Sequence, residues 1–142
     1  RSALDDVTAF FLRHAPLTTP SEKPILRLDC ALSEALLTFA LARALDTLEP
    51  FGAGNKRPLF LVPALSVLES RAIGASGDHL RLILRGSTPG QEQTAVAFRW
   101  GQRMRPQPGD CVDLAVEVHS DAFRGVPRLD LHVQDLRTVG SA

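Results

Sequence analysis

The hydrophobic period of this chain changes once, and that change limits what it can fold into. Up to Leu48 the apolar residues recur at helical spacing; from Leu59 to about residue 137 they alternate, as half-buried strands do. The switch falls across Leu48-Glu49-Pro50-Phe51-Gly52-Ala53-Gly54-Asn55, with Pro58 and Phe60 just beyond. Pro locks φ, while Gly and Asn tolerate positive φ, so this stretch reads as a fixed turn between a helix and an all-β unit.

Before the turn, Leu4, Val7, Phe10 and Phe11 predict a short helix over 3–14, ended by Pro16. A polar, Pro-containing linker follows over 17–24, and 25–30 has the composition of a short strand. A second helix is expected over 33–48, capped by Ser33, with Leu37, Leu41, Ala44, Leu45 and Leu48 as its apolar stripe. After the turn come five predicted strands, at 59–73, 79–85, 93–100, 111–119 and 128–137. Gly, Pro, Ser or Asp clusters separate them. Five strands in this length suit a small closed barrel, and the OB-fold is the leading five-stranded case. An SH3-like barrel is the competing architecture. Pro63 and Gly74 are compatible with bends or bulges in or near the long first strand. Pro106 and Pro108 leave only a loop between the third and fourth strands. The fold class expected is thus mainly β with N-terminal helices, a five-stranded OB-fold barrel behind a short helical and linker segment. Three parts follow: 1–24, a helix and linker forming the tail of a preceding domain; 25–55, a strand–helix connector; and 56–142, the barrel.

Alternation also assigns strand faces. In the second barrel strand, Leu80, Leu82 and Leu84 point inward and His79, Arg81, Ile83 and Arg85 outward. In the third, Thr94, Val96, Phe98 and Trp100 share the face expected inside, and Gln93, Ala95, Ala97 and Arg99 the other. The fourth buries Val112, Leu114, Val116 and Val118; the fifth buries Leu129, Leu131 and Val133. In OB-folds an oligonucleotide crosses the second and third strands, bordered by neighbouring loops. The candidate nucleic-acid contacts are therefore His79, Arg81, Arg85 and Arg99 on the strands, with Phe123 and Arg124 at a loop tip. Phe123 could stack on a base or cap the barrel core; for Trp100 packing is the expected role. Outward Asp113, Glu117, Asp130 and Gln134 predict an acidic face opposite the basic one. The bland alternative for the Arg residues is that they simply solvate a half-buried sheet.

Composition narrows the chemistry. The net charge is zero, with 16 basic and 16 acidic residues, which argues against a strong stand-alone nucleic-acid binder. Only Lys23 and Lys56 are lysines; the other basic residues are Arg, which suits phosphate contacts and base stacking but also follows from a GC-rich genome. No apolar run is long enough to span a membrane and no signal peptide is visible, so no membrane partner is expected. Cys30 and Cys111 stand apart without a CxxC, against a zinc site or a disulfide framework. Either one bridge or two buried thiols remains, with the thiols and a reducing, cytoplasmic setting expected. The chain opens Arg1-Ser2 and its one methionine is the internal Met104, so a piece of a longer protein is expected. No HExxH, GxSxG or phosphate loop occurs, and Gly52-Ala53-Gly54 is explained by its turn. His14, His119 and His132 lack metal-ligand spacing, so surface or structural roles are expected and no metal is placed in this chain.

Several motifs, taken in order, carry a resemblance. They are the Leu48-to-Asn55 turn with Pro58 and Phe60, Gly77-Asp78-His79-Leu80-Arg81-Leu82, and Ala95-Val96-Ala97-Phe98. Gly109-Asp110-Cys111-Val112-Asp113, Phe123-Arg124-Gly125 and Leu131-His132-Val133-Gln134-Asp135-Leu136 complete the set. Over residues 25–136 the chain resembles the RecJ family of bacterial single-strand-specific 5′→3′ DNA exonucleases. It departs from the family pattern at Lys56, Ser120 and Phe123, where Pro, Asn and Trp are common. The resemblance implies the OB domain that follows the DHH and DHHA1 domains, in a protein of DNA repair and recombination. The parent would be a metal-dependent exonuclease using Mn2+ or Mg2+, but its catalytic motifs would precede Arg1 and none is carried by this chain. Two readings follow: a non-catalytic module that binds single-stranded DNA, or a structural barrel that docks on the catalytic domains or on a partner such as single-stranded-DNA-binding protein.

Overall fold

The structure, a computed structural model, describes residues 24–122 and 125–141. The helix expected over 3–14, the linker up to residue 23, and Phe123 and Arg124 lie outside the described residues. The elements are β1 (Cys30–Ala31), a 3-10 turn (Glu34–Leu36), α1 (Phe39–Asp46), β2 (Phe60–Ile73), β3 (His79–Arg85), β4 (Glu92–Ala97), β5 (Asp110–Asp121) and β6 (Arg128–Ser141). All five predicted barrel strands are present, their ends shifted by a few residues.

Two expectations before the barrel need correction. The strand at 25–30 contracts to Cys30–Ala31, paired parallel with Phe60 and Leu61. The helix over 33–48 is broken at Leu37 because two caps compete. Ser33 Oγ accepts from the Ala35 N–H and starts the 3-10 turn; Thr38 Oγ1 accepts from the Leu41 N–H and starts α1 afresh. The restart rotates the apolar stripe: Leu37, Ala42 and Leu45 are buried, while Ala44 and Leu48 face solvent.

Strand order runs β2-β3-β4-β6-β5, and β5 pairs back onto β2 to close the barrel. Its first strand serves twice. The first half of β2 pairs antiparallel with β5, from Phe60↔Val116 to Ser66↔Cys111, and the second half with β3, from Ser66↔Arg85 to Ile73↔His79. A register shift between Val62 and Leu65 bends the strand at Pro63, where the missing N–H costs no ladder bond. Ala64 takes φ +57° there, and its N–H donates to Asp113 Oδ1 at 3.0 Å. The last seam is parallel and short, Ala95↔Leu131 and Val96↔His132 between β4 and β6.

The interior is filled by Val62, Leu65, Val67, Leu80, Leu82, Leu84, Val112, Leu114, Val116, Val118 and Leu131, all essentially without solvent contact. Each such side chain contributes about 1.5–3 kcal/mol of burial. The expected faces hold for β3 and β5, but β4 is inverted. Ala95 and Ala97 are inside; Thr94 and Phe98 face outward, with Val96 half-buried among them. Ala97 and Ala95 stand in register beside Leu80 and Leu82 of the adjacent strand β3, whose leucines already fill that part of a tapering interior, so small side chains suit β4. Trp100 is inside nonetheless, because Arg99 adopts φ +53° and resets the alternation. The two cysteines are free, but Cys30 is exposed and Cys111 half-buried, so they are not the buried pair expected.

Two polar clamps fix what precedes the barrel. At the turn motif, Asn55 Nδ2 donates to the Leu48 and Pro50 carbonyls, and Gly52 and Asn55 exchange backbone hydrogen bonds. Arg57 then reaches across: Nη1 donates to the Val118 carbonyl at 3.0 Å, Nη2 to Glu49 at 2.8 Å, and the guanidinium lies 4.3 Å from the Phe51 ring. The second clamp is Glu34. Its Oε1 accepts from the backbone N–H and hydroxyl of both Ser87 and Thr88, at 2.7 to 3.0 Å. Gly86 is needed beside it, since a Cβ there would lie 2.1 Å from Glu34 Cγ.

Those donors, led by the Ser87 and Thr88 hydroxyls, hold the Glu34 carboxyl down at about 2. A carboxyl depressed on folding adds stability above its unfolded value, 4.5 here, and loses it as pH falls toward the folded one. Glu34→Gln is therefore expected to flatten the acid limb of stability between about pH 4.5 and 2, read by urea titrations across that range. Leu82→Ala, by contrast, should cost about 2–5 kcal/mol at every pH.

Candidate nucleic-acid interface

The outward residues of β3, β4, β6 and β5 form one continuous surface. On β3 these are His79, Arg81, Ile83 and Arg85; on β4 and just after it, Thr94, Val96 and Phe98. Across the parallel seam lie Asp130 and His132 of β6, then Glu117 and His119 of β5.

A row of rings crosses this surface. His79 and Phe98 meet edge to face with centroids 5.4 Å apart, and Phe98 and His132 likewise at 5.0 Å. His132 stacks on His119 at 4.0 Å. Phe98 is the centre of the row and is 53% exposed, which is unusual for a ring with aromatic neighbours on both sides. His79 does more than line it. Its Nδ1 accepts from the Arg99 N–H at 3.0 Å, and the Asp78 carbonyl accepts from the Gly101 N–H, so the positive-φ turn after β4 is tied to the start of β3. That tie holds Phe98 on the outside while Trp100 turns in, its indole N–H bonded to the Met104 carbonyl.

Charge on the surface is mixed rather than purely basic. Arg85 pairs with Glu92 at 2.8 Å and Arg81 lies 3.9 Å from Glu69. Beside the rings is a groove of about 520 Å³ lined by Arg81, Thr94, Val96, Asp121, Arg128 and Asp130 among others. Arg99 is exposed at the edge of the row and makes no ion pair among the described residues. The acidic residues expected on β5 and β6 each have a partner: Arg137 for Asp113, His119 for Glu117 and His132 for Asp130. Asp113 is held below the usual carboxylate range by the Arg137 guanidinium at 2.5 Å and by the Ala64 N–H. The hydrogen bond from His132 does the same for Asp130. Burial, and then the neighbouring His132, push the His119 ring below its ordinary value, so it is neutral at pH 7.

The predicted contacts therefore separate. His79, Arg81 and Arg85 share the outward face of β3, while Arg99 is exposed in the turn after β4, and the alternation that set it outward with Ala95 and Ala97 fails because those two are inside. Phe123 and Arg124 fall outside the described residues. Sequence reasoning misses Phe98, His119 and His132: alternation puts the first in the core and leaves the others as surface residues without a common site. The signal for Phe98 lies in its neighbours. Ala95 and Ala97 alternating opposite three leucines mark the small-residue lining of a narrow barrel.

The closed five-stranded barrel with this order is an OB-fold, and its exposed sheet is the surface such folds use for oligonucleotides. The family model for the RecJ OB domain matches residues 28–135, and the chain belongs to that family. Among solved structures it is similar to RecJ of Thermus thermophilus in complex with Mn2+, with 28% identity and a TM-score of 0.60 over 94% of this chain and 18% of that one. The Mg2+ complex of the same protein gives 28% identity and a TM-score of 0.61, over 94% and 19%. The Saccharomyces cerevisiae mitochondrial single-stranded DNA binding protein Rim1 matches with 9% identity and a TM-score of 0.43, over 61% of this chain and 100% of that one, too remote to bear on this chain. Among curated proteins none matches. The chain thus spans less than a fifth of the RecJ chains it resembles. No helix among the described residues is long and apolar enough to cross a membrane.

The two rings flanking Arg99 should respond to truncation to different degrees, since Phe98 is half exposed and Trp100 buried. Phe98→Ala, half-exposed and held by two edge-to-face ring contacts, is expected to cost about 1–2 kcal/mol. Trp100→Ala should cost about 3–5 kcal/mol. Paired denaturant melts of the two variants check this.

Proposed function

We propose that this chain is a non-catalytic module that binds single-stranded DNA within a RecJ-like single-strand-specific exonuclease, gripping the substrate strand upstream of the catalytic cleft. The observation that carries the reading is the exposed Phe98 ring, supported on both sides by His79 and His132. Bases have π faces and stack on such a ring whatever their sequence, contributing roughly 1–3 kcal/mol per base. A single strand exposes those faces; a duplex hides them. Arg81 and Arg99 sit where phosphates would run beside the stacked base, and Arg85 extends the same line. Phe123 and Arg124, in the loop between β5 and β6, are assigned to the same grip by their place in the sequence.

The catalytic step belongs to the remainder of the parent protein, its DHH and DHHA1 domains, with Mn2+ or Mg2+ held by the DHH motifs. Those domains would be this module's neighbours in the same chain, in a cytoplasmic protein of DNA repair and recombination. The partition in which 1–24 ends a preceding domain, 25–55 connects and 56–142 binds fits that arrangement.

One observation favours a second reading, a docking barrel. Ile25 is 89% exposed, and Leu26 and Leu28, also open to solvent, line a cleft with Leu61, Ala115 and Leu136 that Asp113, Asp135 and Arg137 border. An apolar strip of that kind suits packing against the catalytic domains or a partner such as single-stranded-DNA-binding protein.

Fluorescence anisotropy of a labelled single-stranded oligonucleotide, at two salt concentrations with duplex as competitor, separates the readings. DNA gripping predicts salt-sensitive binding that prefers single strands. Phe98→Ala should weaken it roughly 5- to 100-fold. Combined Arg81→Glu and Arg99→Glu should weaken it and flatten its salt dependence by about 0.7 per lost phosphate contact. Docking alone predicts no binding even at low salt.

A further inference from the structure

At the end of the ring row lies a two-by-two square of side chains on alternate rungs of β5 and β6, with the inward pair Val118 and Leu131 between them. Glu117 faces His132 across the ladder and His119 faces Asp130, all four outward and half-buried. One ligand atom each from Glu117, His119 and His132 lies within 4.8 Å of the others. Glu117 Oε2 and His119 Nε2 are already 3.2 Å apart, close to the spacing of two donors on one tetrahedral ion with bonds of about 2.0–2.1 Å. Asp130 Oδ2 sits 2.8 Å from His132 Nε2, the carboxylate–imidazole contact that orients a ligating ring.

We propose that Glu117, His119 and His132 form a binding site for one divalent ion of the zinc class, with Asp130 orienting His132. Two imidazoles and a carboxylate are the donor set of an open zinc site, with a fourth position left for water or another oxygen. The same set discriminates against Mg2+ and Ca2+, which take oxygen ligands almost throughout. The ladder supplies the preorganisation. The i and i+2 spacing of Glu117 and His119 puts both donors on one face, and the rung to His132 brings the third from the next strand. The His119 and His132 rings stack at 4.0 Å with planes 26° apart, so a shared ion must draw their nitrogens together by turning the rings out of that stack. Side chains that are about a quarter exposed have the freedom to do so. Sequence spacing conceals the site because His119 and His132 are separated by the whole β5–β6 connection.

The test is calorimetric titration of the chain with ZnCl2, in the absence of DNA, beside titration with MgCl2. One Zn2+ per chain is expected and no Mg2+ binding. His119→Ala and His132→Ala should each remove at least tenfold in affinity, and Asp130→Asn about 10- to 100-fold. A Cys30→Ser, Cys111→Ser background should bind zinc as the parent chain does. Absence of zinc binding, or binding that survives the His119→Ala, His132→Ala double substitution unchanged, overturns the proposal. Should the histidine variants lose the barrel, the wild-type chain decides. Zinc-induced shifts of the His119 and His132 ring resonances support the site, and shifts confined elsewhere overturn it.

Discussion

The fold depends on one strand belonging to both halves of the barrel. β2 must leave β5 and join β3 without breaking its own course, and it does so through the bend at Pro63 and Ala64. That bend leaves an Ala in the left-handed region and a backbone N–H off the ladder, two local costs that the Asp113 carboxylate offsets by accepting the N–H. Arg137 then neutralises the carboxylate from the neighbouring strand. Proline, alanine, aspartate and arginine are thus one device spread over three strands. Without it the five strands would form an open sheet with two exposed edges.

The outer surface follows a different logic from the interior. Inside, branched and straight aliphatic chains are packed together with almost no solvent contact. Outside, the arginines of β3 are engaged by glutamates, which lowers their value as bare charges and explains how a neutral protein can present them at all. Among the rings, Phe98 keeps about half its surface open to solvent. A surface built this way favours contacts that depend on flat π faces over contacts that depend on accumulated charge.

Strand positions are legible because period-two alternation is a local signal, and the faces of β3 and β5 follow from it to the residue. The face of β4 does not, since the rule that larger apolar residues go inside fails where the opposing strand already carries Leu80, Leu82 and Leu84. The helix expected over 33–48 fails for another local reason: Ser33 and Thr38 are both good caps, and nothing nearby says that Glu34 will be claimed by Ser87 and Thr88, far along the chain. The arginine face is visible from alternation alone. Its pairing with Glu69 and Glu92, and the convergence of His119 with His132, depend on register between strands, which the residues of one strand do not encode.

The parallel seam has a consequence for motion. β4 and β6 are held by two register pairs, against twelve between β5 and β6, so this is where the barrel wall is thinnest and where breathing would begin. Phe98 stands on one lip of that seam and His132 on the other, in contact across it. Anything that lies flat over both rings bridges the two lips, and the looser the wall is beforehand, the more its fluctuations are quenched. The barrel would then register an occupied surface as a stiffening, felt at every strand, with no rearrangement of its backbone.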